Sequence, residues 1–291
     1  MRTILVTGAS GFLGHHIVKE LLRRNDTKVI AILGRPEDKA FYLPNISNVE
    51  SISIDSMYDR RIGPVDTVIN CAFARSNSID LLVDSLEFTE KTIQYFEANG
   101  VQSVINISTQ GVYKRLEVGE LSDEDSPIKP IDLYSLAKFA SEKLYNISSI
   151  PFVTNIRLAS IMMPNRFLDF FVQKAKSGER FSVTRPNQYS SLIDVTDAAK
   201  GIAAVADLSP SQRANVYNLG IGVQYSLLEY AQSVKRIGES LGYTVCFDIV
   251  DNDDSVCSGM DINRIITDTN WKPEIMKDEM ITKLYKNEAY D

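Results

Sequence analysis

Histidine is almost missing from this chain: His15 and His16 stand side by side and are the only two. A histidine-rich metal site is thereby excluded, and no metal is expected. Cysteine is scarce too. Cys71, Cys246 and Cys257 are odd in number and widely spaced, with neither zinc-ligand spacing nor a disulfide framework, as suits a reducing cytosol. Basic residues are outweighed, 31 lysines and arginines against 38 acids, for a net charge of −7. Nucleic-acid and anionic-membrane binders need a basic face to neutralise phosphates, so those partners are not expected, although one local pocket can still be positive. No apolar run approaches the roughly 18 residues of a membrane span, and none beyond a short first strand suggests a signal peptide. The expectation is a soluble, cytoplasmic protein. Asp251-Asn252-Asp253-Asp254 looks superficially like a calcium loop but lacks its glycine and terminal glutamate; it reads as a solvated turn.

What is present is length and alternation. A chain of 291 residues, 44% hydrophobic, can build a sizeable core as one large domain or two small ones. Short β-branched runs alternate with helix-length amphipathic segments from the first residue. Strands are predicted at Ile4–Val6, Val29–Leu33, Val49–Ile54, Thr67–Asn70, Ser103–Ile107 and Phe152–Leu158, with helices near 12–24 and from about Leu133 to a stop at Pro151. Such a pattern indicates βαβ units and a parallel sheet covered on both faces. Beyond Pro164 the alternation is lost, and helices at Phe167–Ser177, Ala198–Ala206 and Leu227–Ser240 mix with short strands at Val216–Leu219 and Thr244–Ile249. The predicted plan is an α/β fold, a doubly wound parallel sheet of Rossmann type with a smaller, interleaved C-terminal lobe. Residues 1–160 would hold the dinucleotide and the catalytic groups; residues 161–291 would mainly bind substrate, some segments returning to the core.

The first turn carries glycines at i, i+3 and i+6 in Gly8-Ala9-Ser10-Gly11-Phe12-Leu13-Gly14. Gly8 can take the positive φ of a tight turn, Gly11 lets backbone amides approach a pyrophosphate, and Gly14 allows close packing of helix on strand. The helix start then offers free N–H groups and a positive dipole end. Glycine turns are common, but this one lies between a strand and a helix, the context a dinucleotide needs. Gly8, Ser10, Gly11, Phe12, Leu13 and Gly14 are therefore the expected cofactor cradle. The second strand ends Leu33-Gly34-Arg35 with no acid before Glu37. A carboxylate there would favour NAD, whereas the Arg35 guanidinium can pair with a 2′-phosphate, so NADP is preferred over NAD. The plain alternative is a solvated loop arginine. Asp55, after the third strand, is placed to accept from the adenine amine.

Tyr134 and Lys138 stand four apart at the start of a predicted helix, a spacing that stacks them on one face. A phenol with pKa near 10 is a poor base at neutral pH. A neighbouring ammonium and a cationic nicotinamide would lower that pKa and let tyrosine exchange a proton with a carbonyl or alcohol. Such a pair is common by chance and on spacing alone reads as a solvated surface pair. Its weight comes from the glycine loop and from Ser108-Thr109-Gln110-Gly111-Val112-Tyr113 after the fifth strand, where a hydroxyl points into the crevice that binds ligands in open α/β sheets.

With these residues in view, the chain resembles the NAD(P)-dependent epimerase/dehydratase family, the extended short-chain dehydrogenases/reductases. The similarity runs through the glycine loop, Asn70-Cys71-Ala72, Ser108-Thr109 with Val112-Tyr113, Tyr134 with Lys138, and Arg157 to Pro164. It continues through Ile193-Asp194-Val195-Thr196-Asp197, Tyr217-Asn218-Leu219-Gly220 and Asp261 with Trp271 and Pro273. The resemblance implies Tyr134 as acid/base, Lys138 as the residue that lowers its pKa and holds the nicotinamide ribose, Thr109 as the hydroxyl on the reacting oxygen, and Ala72 at the cofactor. It further implies a sugar substrate, in most members linked to a nucleotide. A homodimer formed through the Tyr134 helix and the one before the fifth strand is a further implication, with Phe88, Tyr95, Phe139 and Leu144 as candidate apolar surface.

The departures from the family pattern matter as much. Dehydrating members carry Asp-Glu directly after the catalytic threonine, but Gln110 and Gly111 stand here, which disfavours elimination. Lys114 replaces the usual glycine after Tyr113, and Met163-Pro164 the usual Gly-Pro. Ser190 stands about where many relatives place a diphosphate-binding arginine; Arg185, five residues earlier, is a substitute candidate or a solvated turn charge. Ser108, Arg185 and Ser190 are the expected substrate contacts. The leading expectation is an NAD(P)-dependent 4-keto reductase or epimerase acting on a sugar, with Arg35 tilting the choice towards a reductase. Alternatives are a dehydrogenase of a non-nucleotide small molecule, and a non-catalytic NADP sensor, which the retention of Thr109, Tyr134 and Lys138 disfavours.

Overall fold

A computed structural model describes residues 1–34, 48–59, 61–250 and 257–288. Seven parallel strands form the central sheet: β1 (Arg2–Thr7), β2 (Thr27–Leu33), β3 (Val49–Ser53), β4 (Thr67–Asn70), β5 (Ser103–Thr109), β6 (Phe152–Leu158) and β7 (Val216–Leu219), in the order β7-β6-β5-β4-β1-β2-β3. From β1 the chain builds outwards to β3 and then crosses back to β4, so the order reverses between β1 and β4. At such a reversal the loops diverge and leave a crevice at the carboxyl ends of the strands. The Rossmann-type α/β expectation is borne out.

Strand periodicity explains how the layers are filled. Side chains alternate across a sheet, so Ile4 and Val6 of β1 enter one buried cluster while Leu5 enters another. The first cluster packs α1 (Phe12–Leu21) and α6 (Val195–Asp207) on one face, through Ile17, Val18, Ile202 and Val205. The opposite face is covered by α2 (Ile54–Tyr58), α3 (Ile79–Ala98) and α4 (Leu133–Ile147), through Met57, Phe96 and Tyr145. A further cluster, built only from residues beyond 160, joins α5 (Phe167–Lys176), α7 (Leu227–Ser240) and α9 (Lys277–Lys286) around Phe171, Phe181, Tyr230 and Met280. The short helix α8 (Asn263–Thr269) returns Ile265 to the first cluster.

The predicted strands match closely, except that Thr244–Ile249 shortens to Phe247–Ile249. The helix predicted from Ala198 begins at Val195, because the Asp194 carboxylate accepts the Thr196 N–H at 2.8 Å and so caps it three residues earlier. Three of the side chains suggested for a dimer surface face inwards. Phe139 packs against the first cluster, and Tyr95 and Leu144 against that of the opposite face. No described helix is long and apolar enough to cross a membrane.

Candidate active site

Polar side chains inside the sheet hold four of its strands in register. Thr7 Oγ1 donates to Asn70 Oδ1 (2.6 Å), Asn70 Nδ2 to Asn106 Oδ1 (3.0 Å), Asn106 Nδ2 to Asn155 Oδ1 (2.9 Å), and Asn155 Nδ2 to Asn146 Oδ1 on α4 (2.9 Å). This ladder crosses β1, β4, β5 and β6 in register, Thr7 opposite Asn70, Asn70 opposite Asn106, and Asn106 opposite Asn155. Buried amides that satisfy one another resist slippage, so the register is fixed; β1 and β4 end at the ladder, and β5 and β6 run three residues past it.

The glycine loop opens after β1. Gly8 has φ +66°, and a Cβ on it would meet the Ala72 nitrogen at 2.9 Å. On Gly14 a Cβ would lie 2.1 Å from the Gly8 carbonyl oxygen, so α1 touches the turn directly. Gly11 caps α1 with extended backbone and no side-chain cap bond, which leaves the first helical N–H groups facing the cleft. Ser10 Oγ accepts the Gly34 N–H at 3.0 Å and holds the end of β2 to the loop. A cavity of about 250 Å³ follows, lined by Gly8, Gly11, Phe12, Phe73, Ser108 and Lys138, among others. The Ser108 hydroxyl is buried without a hydrogen-bond partner among the described residues, an orphan that a polar ligand group would satisfy. Open helix N–H groups, a glycine-cleared approach and an orphaned hydroxyl fit a dinucleotide. Ser108, an expected substrate contact, lines this cavity and not the larger one described next. Asp55 is exposed in the first turn of α2. Arg35 lies outside the described residues, as does the 251–254 run.

A second cavity of about 500 Å³ adjoins the first. Thr109, Tyr134, Arg75 and Ser160 line both, which puts the two expected proton-handling groups at the junction. Asp132 sets Tyr134 in place: its carboxylate caps α4 by accepting the Ser135 N–H at 2.7 Å, so Tyr134 falls in the first turn. Lys138 follows on the same helix, 3% exposed. Burial pushes its pKa down to about 8, against the pull of Cys71 and Glu142. Its ammonium lies 4.3 Å from the centre of the Phe73 ring, whose edge meets Tyr134 at 6.2 Å between ring centres. Burial raises the Tyr134 pKa, and the Arg75 charge opposes that rise. Thr109 Oγ1 accepts the Gly111 N–H at 3.2 Å, leaving its own proton free to donate.

Several family-like motifs meet behind the site. Arg157 on β6 forms a bidentate pair with Glu142 on α4 (3.2 and 3.0 Å), one turn beyond Lys138. Its other nitrogen donates to Tyr113 Oη (3.0 Å), and that hydroxyl donates to Asn218 Oδ1 on β7 (2.6 Å). All four side chains are buried. The network ties α4 to the sheet and touches neither cavity except through Tyr113.

Of the expected substrate contacts only Ser190 lines the larger cavity; Arg185 is exposed and outside its lining. Sequence reasoning missed Arg75, Lys114, Arg115 and Arg166, which do line it. Arg75 follows β4 by five residues, a strand-end position that could have flagged it. Arg166 and the Lys114-Arg115 pair lie on irregular segments that carry no periodic signal.

Over residues 4–220 the sequence matches the family described as NAD dependent epimerase/dehydratase. A low-salt glycan biosynthesis protein of Haloferax volcanii is 26% identical over 263 residues, 82% of either chain. A UDP-glucose 4-epimerase of Lactobacillus helveticus is 24% identical, the match covering 93% of this chain and 92% of that one. In fold, the chain is similar to the crystal structure of UDP-N-acetylglucosamine 4-epimerase from Bacillus cereus, with a TM-score of 0.81, 19% identity and 99% of both chains covered.

Proposed function

Because the chain belongs to the NAD dependent epimerase/dehydratase family, we propose that it is an oxidoreductase acting at a carbonyl or alcohol of a nucleotide-linked sugar, as a 4-keto reductase or epimerase. The observation that carries this reading is the junction: Thr109 and Tyr134 line the glycine-loop cleft and the larger cavity at once. The glycine loop and Lys138 would hold a nicotinamide cofactor, which when bound would supply or accept the hydride. Tyr134 exchanges the proton with the reacting oxygen, and Thr109 donates a hydrogen bond to it. Lys138 would hold the cofactor ribose, and the Arg75 charge favours the phenolate against the effect of burial.

Dehydration is disfavoured by space as well as by residue type. A Cβ on Gly111 would lie 2.2 Å from Ser135 Oγ, so no acid fits there unless Ser135 moves. Gln110 is engaged with Ser160, its Nε2 donating at 3.2 Å. A nucleotide-linked substrate is supported by the four basic side chains of the larger cavity, against one carboxylate, Asp132. A free sugar or hydroxy-ketone would leave those cations unmatched. NADP is the favoured cofactor, on the Leu33-Gly34-Arg35 ending of the second strand. Residues 1–160 are read as the cofactor-binding and catalytic part, and residues 161–291 as the part that closes over substrate.

The test is incubation of the full chain with NADPH and a nucleoside diphosphate 4-keto-6-deoxyhexose, following the reduced cofactor's absorbance. A reductase consumes the cofactor. Interconversion of epimers with no consumption replaces the reductase by an epimerase at the same site, and no conversion at all contradicts the proposal. Parallel titrations with NADPH and NADH test the cofactor preference, which requires tighter binding of NADPH.

A further inference from the structure

Arg75, Lys114, Arg115 and Arg166 line the larger cavity, and none makes a salt bridge among the described residues. On a chain of net charge −7, unpaired cations gathered in one cavity point to an anionic ligand. A diphosphate accounts for part of that charge. Arg75, however, occupies a different place from the rest. Alone of the four it also lines the cofactor cleft, with Thr109 and Tyr134, and so stands at the reacting end of the cavity. Its one side-chain hydrogen bond among the described residues goes to the Met163 thioether, at 3.1 Å, a weak acceptor. Arg166 is close enough that the two guanidiniums repel: burial first, and then Arg166, hold the Arg75 pKa below its ordinary value. Two like charges that line one cavity, with no carboxylate paired to either among the described residues, are costly until an anion lies between them. A planar carboxylate suits the guanidinium fork best.

We propose that Arg75 and Arg166 bind a carboxylate carried by the reacting sugar ring, so that the preferred substrate is a nucleotide-linked uronate. The proposal rests on the sugar-nucleotide reading above and adds the identity of the ring substituent. Lys114 and Arg115, which line only the larger cavity, remain for the diphosphate.

Calorimetric titration of the full chain, saturated with oxidised cofactor, against UDP-glucuronic acid and UDP-glucose separates the two claims. The uronate is expected to bind about tenfold or more tightly than the neutral hexose, the effect of one well-made charge-assisted pair. In R75Q and R166Q that ratio is expected to fall towards one. Both side chains line the open cavity and belong to none of the buried clusters, so the variants are expected to fold, and a thermal melt checks this. Equal affinities in the unaltered chain overturn the carboxylate site and leave the sugar-nucleotide reading standing. The carboxylate site is overturned in the same way if the variants weaken both ligands in proportion, as residues holding the diphosphate would. Binding of neither ligand removes both readings.

Discussion

Lys138 shows at the scale of one residue how a site can oppose stability. An ammonium that is 3% exposed, resting on a phenyl face, has given up its hydration for weak compensation. Lys138→Met keeps the length and removes the charge. We expect K138M to melt higher, by about 1–2 kcal/mol or a few degrees, while turnover collapses; paired melting curves and rate assays check this. His16 makes stability depend on pH. Burial, and next the neighbouring His15 and Lys19, lower its pKa from 6.5 to about 4. The unfolded chain therefore takes up a proton before the folded one does. This contribution is flat above pH 6.5, falls as the pH drops towards 4, and is fully lost below that. Denaturant unfolding at pH 7 and pH 5 is expected to show a difference of about 1–2 kcal/mol that shrinks in H16Q. That Tyr134, Lys138 and Thr109 would gather at one cleft was legible in the sequence from spacing and context. Arg75 and Arg166 were not, since the cavity that joins them is made by irregular segments folding back over the sheet.

Elements were easier to read than their polar interiors. Val, Ile and Leu runs mark the inner strands β1, β2 and β5 within two residues, because strands buried on both faces must be nearly continuous in apolar side chains. Asparagine is unfavourable in strands by propensity, and nothing in the chain order says that Asn70, Asn106 and Asn155 will stand abreast. Only the parallel register pairs them. Asn106→Ala removes a donor and an acceptor at once and orphans Asn70 Nδ2 and Asn155 Oδ1. The expected loss is about 2–4 kcal/mol, read from chemical denaturation; a loss under about 0.5 kcal/mol would show that the ladder does not hold the sheet. Gly14 makes a comparable case at the helix start. The 2.1 Å approach of a Cβ to the Gly8 oxygen requires α1 to move away, so G14A is expected to weaken dinucleotide binding at least tenfold.

For the molecule as a whole, net negative charge coexists with a basic cavity, so anion binding is local and not a property of the surface. The layered sheet supplies a rigid edge for Thr109, Tyr134 and the glycine loop, and the cluster around Phe171 and Tyr230 is a separate apolar centre beyond residue 160. The most direct test of the central claim, that the junction of the two cavities is where proton and hydride meet, is a single-turnover experiment. Unaltered chain and Y134F, each loaded with NADPH, are mixed with a nucleoside diphosphate 4-keto sugar, and cofactor binding is titrated in parallel. We predict unchanged cofactor affinity in Y134F, with oxidation of the bound cofactor slowed by about 10²–10⁴-fold, the usual worth of a general acid. Equal rates in the two proteins would contradict that claim.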